Sequence, residues 1–433
     1  MDVDFDADRR DLRDYETWAK RAEAAKVAYV PFGGGPYYGY EVGVIDAMHE
    51  LGIVPDAMLP GCIGDFIGLY YLMALVEGRA PTHYIDAFSK TGLMQEKDYV
   101  KAPIPPVFAM RVAQWMRGFA QYYTTPQAYQ NLFAPELFPD VMKTGMDYLS
   151  NPTDRNLGIF TRSLCVWHPM TRLALGGYFF APIGPFADLY NPEDPDGWIN
   201  PPINWTSVYR DAAPVYIMSL LKVGAPEVIQ ATNCIGHPDF APVDGRRLAS
   251  GSNLPWLIAE TYIDGSYYRE SAVRDAATLT PAALDSLPSL EVCICVQIMD
   301  SNDTDMLSIN NGNHNNYALQ VTEMVATIGD DDIKQAAAYQ KAKGRDTEWI
   351  VIEAQSDAKP FWTHENVARC RREGYEIAMH KFMTSEKLRP YIKTPPARTP
   401  PNPAHAGKRV SVLRQPDTAV QAPAPARGLK AVK

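Results

Sequence analysis

Between Lys26 and Gly78 the chain alternates in an order that few folds accept. "KVAYVPF" (Lys26 to Phe32) has the apolar, β-branched composition of a short buried strand. Gly33, Gly34 and Gly35 follow it directly. "GYEVGVIDAMHELG" then places Val42, Ile45, Met48 and Leu51 at helical spacing, and Gly52 predicts the C-cap. "IVPDAML" reads as a second strand. "IGDFIGLYYLMALVEG" reads as a second helix, apolar nearly all round and therefore buried. Strand, glycine turn, helix, strand, tight turn, helix is the beginning of a parallel α/β sheet.

The rest of the chain extends this organisation. Residues 1–25 read as a charged leading helix, followed by one α/β domain over 26–388. Residues 80–200 are rich in aromatics, Met and Pro and predict a helical and loop insertion. Its bulky side chains either line an acyl pocket or only pack the insertion. Strand-like runs return at "PEVIQATN" (Pro226 to Asn233) and "LEVCICVQIM" (Leu290 to Met299). "DIKQAAAYQKAK" and "NVARCRREGYEIAMHKFM" read as closing helices. From Arg389 to Lys433 the chain is rich in Pro, Ala and basic residues, a composition that predicts a disordered tail.

Charge and cysteine usage exclude several classes. The net charge is -10 over 433 residues, which argues against nucleic acid as a partner. The six cysteines form no CxxC pair and no zinc spacing, so no metal or cofactor is expected. Cys293 and Cys295 alternate on a strand and belong to one core face. The first residues are too charged for a signal peptide, and no uncharged apolar run reaches the ~18 residues of a membrane span. A soluble, cytoplasmic protein is the expectation.

One short stretch carries the chemistry. In Pro60-Gly61-Cys62-Ile63-Gly64 a strand passes through a tight turn into a helix, the arrangement of a nucleophile elbow. It exposes one side chain, Cys62, beside a helix N-terminus. The backbone N–H groups of Gly33 to Gly35 suit a developing oxyanion, or alternatively a phosphate. Cys62 also has a plainer reading as a small buried apolar residue. Among the histidines, His237 in "CIGHPDF" is the candidate partner, with a satisfied structural role as its alternative.

Taken in order, these motifs resemble the patatin-like phospholipase family. "GGGPYY", "GVIDAM", "GIVPD" and "PGCIG" are similar to that family's glycine loop, first helix, second strand and GxSxG elbow. "IQATN", "ASGSNLP" and "YIDGSYY" resemble its later strand end, helix start and DGG or DGA turn. The resemblance implies a three-layer patatin-like α/β fold with a mainly parallel central sheet. It implies a dyad of Cys62 and Asp264, with Gly33, Gly34 and Gly35 as the oxyanion hole and no metal. Five positions depart from the pattern: Cys62 for Ser, Pro60 for Gly, Tyr37 for Arg or Lys, Tyr38 for Gly, and Ser266 for the second Gly of DGG. Tyr37 is thus a possible accessory residue. Asp264 has an alternative role as the first residue of an Asp-Gly turn.

The implied activity is hydrolysis or acyl transfer on an apolar ester or thioester, through an S-acyl-cysteine. A thioester is attacked readily by amines and thiols, which favours transfer. The competing class is a catalytically degenerate member of that fold that binds a lipid or a protein partner. The basic tail, with Asp417 its lone acid, either makes weak peripheral contact with an anionic membrane or only solubilises the chain.

Overall fold

The computed structural model describes residues 13–99, 135–171, 201–225, 227–253, 260–297, 313–353 and 362–394, with isolated residues between 120 and 129. Helix α1 (Tyr15–Ala24) starts where the Asp14 side chain caps the Thr17 N–H at 2.8 Å. The expected leading helix therefore begins at Tyr15; residues 1–12 lie outside the described residues. Strand β1 (Val27–Pro31) is buried along its whole length. Helix α2 (Gly39–Glu50) follows the glycine run, and Gly52 after it takes φ +65°. Strand β2 is only Ala57–Met58, shorter than "IVPDAML" suggests: residues 53–56 form no strand, and the chain turns into the elbow after Leu59. Helix α3 (Ile63–Val76) follows at once, and helix α4 (His83–Gly92) comes after it.

In the expected insertion the described elements are helical, chiefly the hairpin of α5 (Phe138–Ser150) and α6 (Asp154–Trp167). The stretches 100–119 and 172–200 lie outside the described residues. Strand β3 (Val215–Lys222) then enters the centre of the sheet, followed by β4 (Val228–Thr232) and β5 (Ala241–Pro242). Helix α7 (Gly245–Gly251) leads to a hairpin of β6 (Thr261–Ile263) and β7 (Ser266–Glu270). Strand β8 (Val292–Gln297), helix α8 (Asn313–Ala342), strand β9 (Glu348–Glu353) and helix α9 (His364–Thr384) complete the fold.

The main sheet runs β5-β4-β3-β2-β1-β8-β9. Its pairs are parallel except β3 with β4, and the β6–β7 hairpin adds antiparallel pairing against β3. Alternate residues of β1 enter two separate cores. Val27 and Tyr29 pack with side chains of α2, α3 and α9, whereas Ala28 and Val30 pack with side chains of α1 and α8. A parallel sheet covered on both faces is a three-layer α/β fold. Cys293 and Cys295 are fully buried and share the second core.

The described structure continues past Leu388. A helical turn at Arg389–Tyr391 is followed by Lys393 and Thr394, whose N–H groups donate to Leu51 O at 2.9 and 3.2 Å. The Tyr391 hydroxyl also donates to Glu291 at 2.7 Å. Residues 389–394, which the sequence reading placed in the tail, are thus structured, and Tyr391 and Ile392 pack against the core. The tail itself lies outside the described residues.

Candidate active site

Cys62 sits at the turn from β2 into α3 with φ 54° and ψ −133°. Cys62 and Asp264 are the non-glycine residues with positive φ among those described. This conformation is costly for a residue with a Cβ and persists only where its surroundings enforce it. Close packing does so here. The Gly61 N–H donates to Pro31 O at 3.0 Å, the Gly64 N–H to Gly61 O at 3.0 Å, and the Ser252 hydroxyl to Cys62 O at 2.9 Å. A Cβ on Gly64 would lie 2.5 Å from Pro31 O, and one on Gly61 would collide with Ala276 O. Pro60 stands where a glycine was expected, and its carbonyl accepts the Thr278 hydroxyl at 2.8 Å.

The glycine run presses against this turn. Gly33, Gly34 and Gly35 take φ of 82°, 113° and 59°, three successive left-handed residues that only glycine tolerates readily. A Cβ on Gly33 would meet Gly61 O at 2.5 Å and the Cys62 Cβ at 2.6 Å. The N–H groups of Gly34 and Ile63 lie on the sulfur's side of the turn and favour its ionised form, against burial and the Glu270 charge. An amide from the glycine loop and the amide following Cys62 thus stand beside the same turn, which is where acyl transfer needs donors for a developing oxyanion.

The acid beside Cys62 is Glu270, and each group bears on the ionisation of the other. Sheet topology explains how it gets there. β2 pairs with β3 only at Val215 and Tyr216, then departs into the elbow. β7 takes up the vacated edge of β3 further along, and Glu270, at its end, lies opposite Leu220. Glu270 is 1% exposed, and burial pushes its carboxyl up to about 7. Burial also pushes the Cys62 thiol up, with the nearby Glu270 charge acting in the same direction. Two further buried acids stand close by. Glu41 accepts the Gly33 N–H at 2.7 Å and is pushed up by burial to about 8. Asp65, in the first turn of α3, is raised by burial and then by the neighbouring Glu270 and Glu41. Among the described residues no group of three or more His, Cys, Asp or Glu side chains is arranged to hold a metal ion.

The remaining expected site residues lie elsewhere. Asp264 occupies the β6–β7 turn with φ 47° and is followed by Gly265 at 85°. Its side chain is 77% exposed and pairs with Arg247 at 2.7 Å. It forms a hairpin turn rather than facing Cys62, the alternative that an Asp-Gly pair always carries. His237 stacks on Phe240 at 4.2 Å and meets Trp18 and Tyr15 edge-on, and its Nδ1 accepts the N–H groups of Asp239 and Phe240. It clamps α1 to its own loop. Tyr37 is buried, with its hydroxyl raised by burial. Tyr38 turns away from the loop, shares a 2.7 Å hydrogen bond with Ser89 of α4 and packs against Phe88 and Trp362. Its bulk is thus absorbed without filling the site. Glu270, the buried acid beside Cys62, is not among the residues that sequence reasoning singled out. The signal was present in Glu270-Ser271-Ala272, an acid followed by two small residues six places beyond the more conspicuous Asp264-Gly265.

No family model matches the chain, and no curated protein matches its sequence. Among solved structures it is similar to VipD from Legionella pneumophila, at 11% identity and a TM-score of 0.35, over 83% of this chain and 67% of that one.

Proposed function

We propose that the protein is an acyl hydrolase or acyltransferase of the patatin-like type, in which Cys62 is the nucleophile and Glu270 its proton acceptor. The observation that carries this reading is the strained Cys62, held between two backbone N–H groups and a buried carboxyl. The motif order described above supports it.

The thiol is raised, so the resting site holds S–H rather than thiolate, and the proton must leave as the bond forms. The sulfur attacks the acyl carbonyl while the thiol proton passes to the Glu270 carboxylate. Gly34 and Ile63 N–H groups hold the oxyanion. The tetrahedral adduct expels the alcohol or thiol, which takes its proton from Glu270 and leaves an S-acyl-cysteine. Water, an alcohol or an amine then attacks the thioester carbonyl while Glu270 accepts its proton; the adduct expels the sulfur, which takes that proton back from Glu270, releasing the acid, ester or amide and restoring the thiol. A carboxyl held near 7 is matched to giving and taking a proton at neutral pH. The substrate is an apolar ester or thioester.

A second reading has its own observation. Cys62 is 7% exposed and its thiol is raised, as expected of a degenerate site in a protein that binds a lipid or a partner. Intact-mass measurement after exposure to p-nitrophenyl and thioester acyl donors separates the two. An acyl adduct present in the parent chain and absent in Cys62→Ala supports the enzyme. A chain that neither turns over nor gains the adduct across the panel supports the binding protein.

A further inference from the structure

We propose that Glu41 is a positioning residue for the oxyanion loop, its side chain holding the Gly33 amide so that the next amide, Gly34, is aimed at Cys62. This rests on the acyl-transfer reading above and adds a residue to it.

Three consecutive left-handed glycines have little conformational preference of their own, so something outside them must select the shape observed. The sheet holds the chain as far as Phe32, whose N–H donates to Val296 O at 3.3 Å. The next N–H, at Gly33, turns away from the sheet and donates to Glu41 Oε1 at 2.7 Å. Glu41 lies in the first turn of α2, so the bond ties the loop back onto the helix it leads into. The contact is made where the loop meets the elbow, since Gly33 is packed against Gly61 O and the Cys62 Cβ. A shift of Gly33 therefore changes the aim of Gly34 at the sulfur.

Glu41 is 0% exposed, and its Oε2 has no hydrogen-bond partner among the described residues. Burying a carboxyl with one oxygen unsatisfied is costly. An apolar side chain at this first-turn position would avoid that cost but would leave the Gly33 N–H without an acceptor. The groups facing Glu41 are Tyr29, whose hydroxyl donates to the Glu41 carbonyl at 3.1 Å, and the carboxyl of Asp65.

The test compares the full chain with Glu41→Gln, which keeps an acceptor, and Glu41→Leu, which removes it. Hydrogen exchange across Phe32 to Gly35 reads the loop directly and needs no activity. Steady-state turnover of a p-nitrophenyl ester reads the aim. Alkylation of Cys62 by iodoacetamide reads the thiol in a step without an oxyanion. The expected result is faster exchange at Gly33 and Gly34 in Glu41→Leu. Its kcat should fall ~100-fold, as for loss of one oxyanion donor, with KM within about threefold and alkylation slowed by less than about tenfold, since the Gly34 N–H also favours the thiolate. Glu41→Gln should restore both protection and kcat. Unchanged exchange in Glu41→Leu overturns the proposal. So does a parallel fall in alkylation, which would mark a collapsed site rather than a lost aim. Should Glu41→Leu not fold, Glu41→Gln decides: retained protection at Gly33 supports the role and lost protection overturns it. A parent chain that alkylates but turns over no ester removes the acyl-transfer reading, while exchange at Gly33 still decides the role of Glu41.

Discussion

A thiol and a carboxyl that face each other out of water share one proton between two poor hosts. Burial raises both groups, so neither Cys62 nor Glu270 ionises easily, and reaction depends on the carboxyl being free to receive. Glu270→Gln preserves size and hydrogen bonding but cannot accept a proton. Its kcat/KM should fall by about 10²- to 10⁴-fold, the usual contribution of a general base. Asp264→Asn, at an exposed turn, should stay within about twofold of the parent. Because Glu270 acts as a carboxylate, kcat/KM should rise with pH through about 7, and Glu270→Gln should lose that ascending limb. A pH–rate series on an activated ester checks both. Cys62 was legible in the sequence because an elbow is local: five consecutive residues specify it. Glu270 was not, because its approach to Cys62 depends on β2 ending early and β7 replacing it along β3, a fact of the assembled sheet.

At the scale of elements, the helix that carries the oxyanion loop is seated by missing side chains. Gly39 and Gly43 of α2 and Gly374 of α9 let the two backbones approach closely. A Cβ on Gly43 would collide with Arg371 O and lie 2.6 Å from Tyr375 N, and one on Gly374 would lie 2.5 Å from Tyr40 O. The crossing is locked at its rim by Arg371, which reaches Asp46 of α2 at 2.6 Å and Asp86 of α4 at 2.8 Å. Gly43→Ala should therefore cost about 1–3 kcal/mol by overpacking. Gly158→Ala, in α6 with open space around it, should be neutral or stabilising by up to about 1 kcal/mol. Urea unfolding of the two variants beside the parent measures the contrast. Helix α2 was legible from its apolar spacing, and β1 and α3 from their apolar composition. β9 was not read as a strand, because its buried apolar run is only Ile350 to Ile352 between flanking Glu residues.

Over the whole molecule, the buried acids set how stability follows pH. Glu41 is raised from 4.5 to about 8, Glu270 from 4.5 to about 7, and Asp332 from 3.8 to about 7, each mainly by burial. Between those limits the folded chain holds protons that the unfolded chain has released. Their contribution is complete below about pH 4 and is lost as pH rises through 7 to 8. Thermal midpoints should fall between pH 5 and pH 8 by several degrees. Glu41→Gln should flatten the part of that slope nearest pH 8, as differential scanning fluorimetry would show. The three-layer class was legible from the opening alternation of strands and helices.

The sheet also has a history in time. β1 pairs with β8 from Val27↔Val292 onward, so its partner is made about 265 residues later (292 against 27). At ~5–20 residues per second, a nascent chain waits on the order of 10 to 50 s with one edge of its first strand uncovered. That edge is apolar and lies immediately before the glycine loop. During synthesis, the unpaired N–H and C=O groups of this apolar strand, just before the glycine loop, are open to a chaperone's cover.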